Sequence, residues 1–141
     1  MARKKAKPVL YKRKRQGKTD YKKRLKTLIS GKDRLVVRFT NTKIIAQLIK
    51  FDVKGDTVIV GIDSTLLRSK GWNFSLKNHP AAYLTGFAIA KMATSKNAKK
   101  VVFDTGRRTP SKGGKIFSFL KGALDGGLEV MYGSDEIFAP L

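Results

Sequence analysis

Residues 101–115, VVFDTGRRTPSKGGK, run from an apolar segment through a glycine-containing loop into the start of a helix. That order is the one used to grip phosphate, because backbone N–H groups at a helix N-terminus point at an anion. Set against the nucleotide-binding pattern G-x-x-x-x-G-K-[ST] from Gly106, it departs at two working positions. Ser111 stands where the second glycine is required, and Gly113 stands where a hydroxyl would hold magnesium. The segment is therefore expected to take the phosphate of a polymer rather than a nucleoside triphosphate, with Arg107, Arg108, Ser111 and Lys112 beside the anion.

Three aspartates, Asp52, Asp63 and Asp104, follow strand-like runs. A metal-dependent nuclease gathers carboxylates around its ions, usually with one inside a central strand. Residues 35–40 hold no acid, and neither do residues 80–95. Turn and cap duty is the better reading for all three. There is no cysteine, and His79 is the only histidine, so thiolate and familiar zinc sites are excluded. His79, beside Pro80, reads as a capping-region residue. No catalytic residue, metal, cofactor or small-molecule substrate is expected.

The charge points elsewhere. Lysine and arginine number 31 against 10 acids, a net +21. Thirteen of those cations and one acid, Asp20, fall in residues 1–26, leaving +9 on the other 115 residues. Such a surplus needs a polyanion, and nucleic acid is the usual one. An anionic membrane is the rival. The longest nearly apolar stretch, residues 81–90, has only ten residues, whereas a spanning helix needs about 20. Residues 1–26 have no apolar centre of the signal-peptide kind, so a cytoplasmic location is expected and no membrane partner. In RKRQGKTDYKKR, residues 13–24, a basic arm leads directly into a basic helix. Arg13, Lys14, Arg15, Lys18, Lys22 and Arg24 suit phosphates, Arg in bidentate fashion and Lys as point charges. Thr19 and Asp20 are candidate helix caps, and Tyr21 offers a ring for an unpaired base. Trp72, in a loop with Arg68, Lys70 and Lys77, either stacks on a base or closes the domain edge.

These groups need a scaffold, and the pattern supplies one. Residues 1–18 have almost nothing to bury and are expected to be disordered alone, as a basic arm distinct from a domain spanning residues 19–141. Tyr21, Leu25, Leu28 and Ile29 share one face of a helix, with the lysines between them facing water or RNA and Gly31 ending it. Residues 35–40, 43–51 and 57–62 read as three antiparallel strands, with a tight turn at Asn41-Thr42 and a longer loop at residues 52–56. A helix at about residues 80–95, capped by Asn78, carries small residues that allow close approach to a sheet. A strand at 100–104, a helix at 115–125 and a short strand at 128–131 complete one α/β domain with a mixed sheet.

Four segments in order carry a resemblance: RKRQGKTDYKKR at 13–24, RLVVRFTN at 34–41, PAAYLTG at 80–86 and FSFLKGALDGGLEV at 117–130. The chain resembles, over nearly its whole length, the large-subunit ribosomal proteins that bind 5S rRNA, numbered eighteen in bacteria and archaea and five in eukaryotes. GKTDY and PAAYLTG, with the compact length, resemble the archaeal type. The resemblance implies a five-stranded mixed sheet with helices packed on it, a ribonuclease H-like arrangement without catalytic carboxylates. It implies a place in the central protuberance, contacts to 5S and 23S rRNA, and neighbouring large-subunit proteins including the other 5S-associated one. It implies RNA contacts from the arm and from residues of the first hairpin, Arg38, Thr40, Asn41, Lys43 and Gln47; Arg34, earlier on the same strand, is a further candidate for RNA contact. The loop with Arg107 and Arg108 is the remaining contact. The end, Phe138-Ala139-Pro140-Leu141, is shorter than expected of archaeal members, so no contact through a longer tail is carried over.

Overall fold

Val and Ile alternating between residues 33 and 63 build strands that are apolar on one face. The structure, a computed structural model, describes residues 8–132. β1 (Asp33–Phe39), β2 (Ile44–Lys50) and β3 (Thr57–Asp63) form an antiparallel meander. β4 (Lys100–Asp104) joins β1 in parallel, and β5 (Glu129–Val130) joins β4 in parallel, giving the order β3-β2-β1-β4-β5. The expected five-stranded mixed sheet in one α/β domain is present. Thr40 locks the first hairpin: its backbone N–H donates to the Lys43 carbonyl at 2.9 Å, and its Oγ1 accepts from the Lys43 N–H at 3.1 Å.

Two long helices cover one face. α4 (His79–Ser95) begins where the Asn78 side chain accepts from the Ala81 N–H at 2.9 Å, with Pro80 in its first turn. α5 (Lys115–Asp125) stacks Phe119 on Phe103 of β4 at 6.1 Å between ring centroids. Leu35, Val37, Ile44, Ala46 and Leu48 from the sheet meet Ile89, Ala90, Phe119, Leu120 and Ala123 in one core. The small residues of α4 serve two surfaces, which differs from the expected approach to the sheet alone. Ala82, Ala90 and Ala93 line the core, but Gly86 faces α5. A Cβ at Gly86 would overlap the Phe119 carbonyl oxygen, and one at Gly122 would overlap the Tyr83 carbonyl oxygen. The two helix backbones therefore touch at their crossing, and Tyr83 donates its hydroxyl proton to Asp125 at 2.6 Å to fix the pair. That bond holds the Tyr83 phenol pKa above its ordinary value.

Two one-turn helices lie where no element was expected, α1 (Lys12–Arg15) and α3 (Leu66–Ser69). Single turns rest on local bonds such as Arg15 N–H to the Tyr11 carbonyl, 2.9 Å, and leave no apolar period to read. α2 (Tyr21–Ile29) lies between the arm and β1. The expectations for residues 1–7 of the arm and for the end at Phe138-Ala139-Pro140-Leu141 lie outside the described residues. Among the described residues, no helix is long and apolar enough to cross a membrane.

Candidate nucleic-acid interface

The other face of the sheet is built on charge. Alternation along β1 sends Leu35 and Val37 into the core and Arg34, Val36 and Arg38 to the opposite side. Arg34 is only 5% exposed. Its Nη1 donates to Asp104 Oδ2 at 3.0 Å and its Nη2 to Asp56 Oδ2 at 2.7 Å. Arg34 was expected to touch RNA; the structure places it, buried, at the floor of the cleft between α2 and the sheet. Both ends of its guanidinium are committed to carboxylates inside the protein, so it braces the site from within. Asp104 does more than the turn duty expected of it. Its Oδ1 accepts from the Gly106 N–H at 2.8 Å and stands 3.6 Å from Arg38 Nη2.

α2 rests on this ionic surface. Asp20 caps it, its side chain accepting from the Lys23 N–H at 3.2 Å. Lys23 Nζ donates to Thr105 Oγ1 at 3.0 Å and to the Gly106 carbonyl at 2.9 Å, while Arg24 Nη2 pairs with Asp56 Oδ2 at 2.9 Å. The helix is therefore turned over relative to the expectation. Lys23, Arg24 and Thr27 line the cleft against the sheet, while Leu25 is 61% and Ile29 76% exposed. The reason lies in the opposing surface: Asp56 and Asp104 attract cations and give a leucine stripe little to bury against.

Between α2 and the sheet lies a cleft of about 280 Å³. It brings together Arg13, Lys18, Thr19, Arg24, Arg38, Gln47 and Arg107 from five separate segments. Arg13 Nε donates to Thr19 Oγ1 at 3.0 Å, which folds the arm back onto the start of α2. Lys14, Arg15 and Lys22 are exposed nearby in sequence, and Tyr21 is partly exposed. At the hairpin tip Asn41 is exposed, Thr40 is occupied by the turn, and Lys43 pairs with Asp63 at 2.9 Å. Thr65, through its hydroxyl and its backbone N–H, and Lys43 together hold the Asp63 carboxyl below the usual carboxylate range. Arg108 lies over the Phe39 ring at 5.6 Å, and a second hollow beside it includes Ser111 and the start of α5. Lys112 is exposed on the same loop and lines neither hollow.

Trp72 stands apart. Its Nε1 donates to the Ser75 carbonyl at 3.0 Å and its ring meets Phe74 edge-on at 5.2 Å, so it closes its own loop. Sequence reading passed over Lys23 and Asp56. A signal existed for Lys23, which lies two residues from Tyr21 and so on a different side of the helix; nothing local marked Asp56 as a partner of β1.

These features define a class: a single α/β domain with a mixed five-stranded sheet and a carboxylate-braced, cation-lined cleft on its open face. The chain belongs to the family described as ribosomal large subunit proteins 60S L5 and 50S L18, whose model matches residues 5–100. It is 47% identical over 126 residues to large ribosomal subunit protein uL18 of Sulfurisphaera tokodaii, covering 89% of this chain and 64% of that protein. It is 44% identical over 131 residues to uL18 of Methanococcus maripaludis, covering 93% and 67%. With uL18 of Methanothermobacter thermautotrophicus the identity is 42% over 127 residues, covering 90% and 66%. The chain thus spans about two thirds of the length of the curated relatives it matches.

Proposed function

We propose that this chain is a structural constituent of the large ribosomal subunit, in the cytoplasm, that binds 5S rRNA and attaches it to 23S rRNA in the central protuberance. Its neighbours there are other large-subunit proteins, including the other 5S-associated one. The observation that carries the reading is the cleft, where Arg13, Lys18, Arg24, Arg38 and Arg107 converge from the arm, α2, β1 and the loop after β4. Family membership supplies the ribosomal context. The mechanism is neutralisation of phosphates and recognition of RNA shape, with no chemical step, no cofactor and no small-molecule substrate.

The work divides between arm and domain. The arm contributes through counterion release, which is indifferent to sequence. Arg38, Asn41 and Gln47 add directional hydrogen bonds and carry more of the selectivity. Titration with 5S rRNA and a control RNA of equal length, at several salt concentrations, tests this. Deleting residues 1–18 is expected to weaken binding to both RNAs and flatten the plot of log affinity against log salt by about 0.7 to 0.9 per lost phosphate contact. Replacing Arg38 and Asn41 with Ala is expected to narrow the gap between the two RNAs. Equal affinity of the intact chain for both RNAs would overturn the assignment to 5S rRNA.

A further inference from the structure

We infer that Gly106 is a positioning residue: by lying flat against the Arg38 guanidinium, it leaves the Nε–Nη2 edge of that arginine as a two-pronged donor for one RNA phosphate. The inference rests on the RNA-binding reading above and adds which edge makes the contact and what aims it.

Arg38 Nη1 is already committed. It donates to the Val37 carbonyl at 2.8 Å and to the Asp104 carbonyl at 3.2 Å. Neither Nε nor Nη2 has a hydrogen bond among the described residues, Nη2 standing 3.6 Å from Asp104 Oδ1, and their N–H groups lie side by side. Two parallel N–H groups match two oxygens of a phosphate. The side chain is 45% exposed, so that edge has access to solvent, and Lys18 and Arg107 border the same hollow.

Gly106 decides where the fork points. Its φ of +67° is a left-handed conformation, and a Cβ built there would lie 2.8 Å from Arg38 Cζ and 3.1 Å from both Nε and Nη1. The loop cannot yield, because Gly106 donates to Asp104 on one side and accepts from Lys23 on the other. The guanidinium is the mobile partner. A side chain at position 106 therefore swings Arg38 away while leaving the fold and the charge in place.

The test is a double-substitution cycle on the full chain, titrated with 5S rRNA and the equal-length control. Gly106→Ala is paired with Gly106→Asn, since Asn tolerates left-handed backbone with the same Cβ. Each is expected to lower affinity roughly 10-fold, the loss of one charge-assisted bidentate contact, and to flatten the salt slope by about 0.7 to 0.9, the share of one phosphate contact. Arg38→Lys, which lacks the fork but still meets the phosphate as a point charge, is expected to lose affinity by a similar factor while keeping the parent's slope. In an Arg38→Ala background the Gly106 substitutions are expected to cost nothing further. Equal losses in both backgrounds, or no loss from Gly106→Asn in a chain that still needs Arg38, would overturn the inference. If the parent chain shows no preference for 5S rRNA, the proposed function fails by itself. The cycle read on the control RNA then still decides what Gly106 does.

Discussion

The two faces of the sheet are held by opposite physics. On one, Leu35, Ile44, Leu48, Ile89 and Phe119 exclude water, and α4 and α5 touch through their backbones at Gly86 and Gly122. On the other, α2 contains no buried residue and is tied down by Lys23 and Arg24. Apolar burial is not screened by salt, whereas partly exposed ion pairs are. One face therefore sets the stability of the domain. The other combines the buried Arg34 pairs with partly exposed ones, such as Arg24 with Asp56, that salt can screen.

The comparison is open to direct attack. Phe119→Ala removes a fully buried ring stacked on Phe103 and is expected to cost about 4 kcal/mol in urea unfolding, a loss that screening by salt does not remove. Asp104→Ala tests the buried part of the ionic face. It strips Arg34 of one of two carboxylates, and the expected cost is about 3 kcal/mol, at the low end for a broken buried pair because Asp56 remains. A loss below about 1 kcal/mol there would mean that Arg34 finds water instead, and the contrast between the faces would be overstated.

Smaller effects sharpen the picture. Arg24→Ala breaks an ion pair whose arginine side chain is 34% exposed, so the expected cost is under about 1 kcal/mol and should vanish in 1 M salt. A cost that survives high salt would place α2 with the apolar face rather than the ionic one. The smallest effect concerns Asp63, whose carboxyl is held below its ordinary value of 3.8 by Thr65 and Lys43. A depressed folded pKa stabilises above the unfolded value and is lost as pH falls through the folded one. Asp63→Asn is therefore expected to cost under about 1 kcal/mol at neutral pH. Stability curves of parent and variant should converge as pH falls below 3.8. Parallel curves down to pH about 2 would deny that pair any linked stability.

Much of this arrangement was legible in the chain. The strand at residues 100–104 and the helix at 115–125 coincide with β4 and α5, because a short Val/Phe run and a glycine-bounded apolar period are strong local signals. Asp20 and Asn78 cap the helices they precede, since capping depends on residues three positions away. The failures share a cause. The orientation of α2 and the fate of Arg34 both depend on Asp56 and Asp104, which lie 22 and 70 residues beyond Arg34.

Composition and spacing alone determined the excess of positive charge, the order of the strands and longer helices, and the lack of any cysteine for a thiolate site, because each is a property of neighbouring residues or of a sum. Tertiary structure decided which cations stay free for a ligand. Arg34 and Arg38 lie four residues apart on one strand, with side chains on the same face, and sequence treats them alike. Only the packing of β4 beside β1 and the return of the 52–56 loop bury one between two carboxylates and leave the other half in solvent. An arginine's availability is fixed by the acids folded around it, and those come from far along the chain.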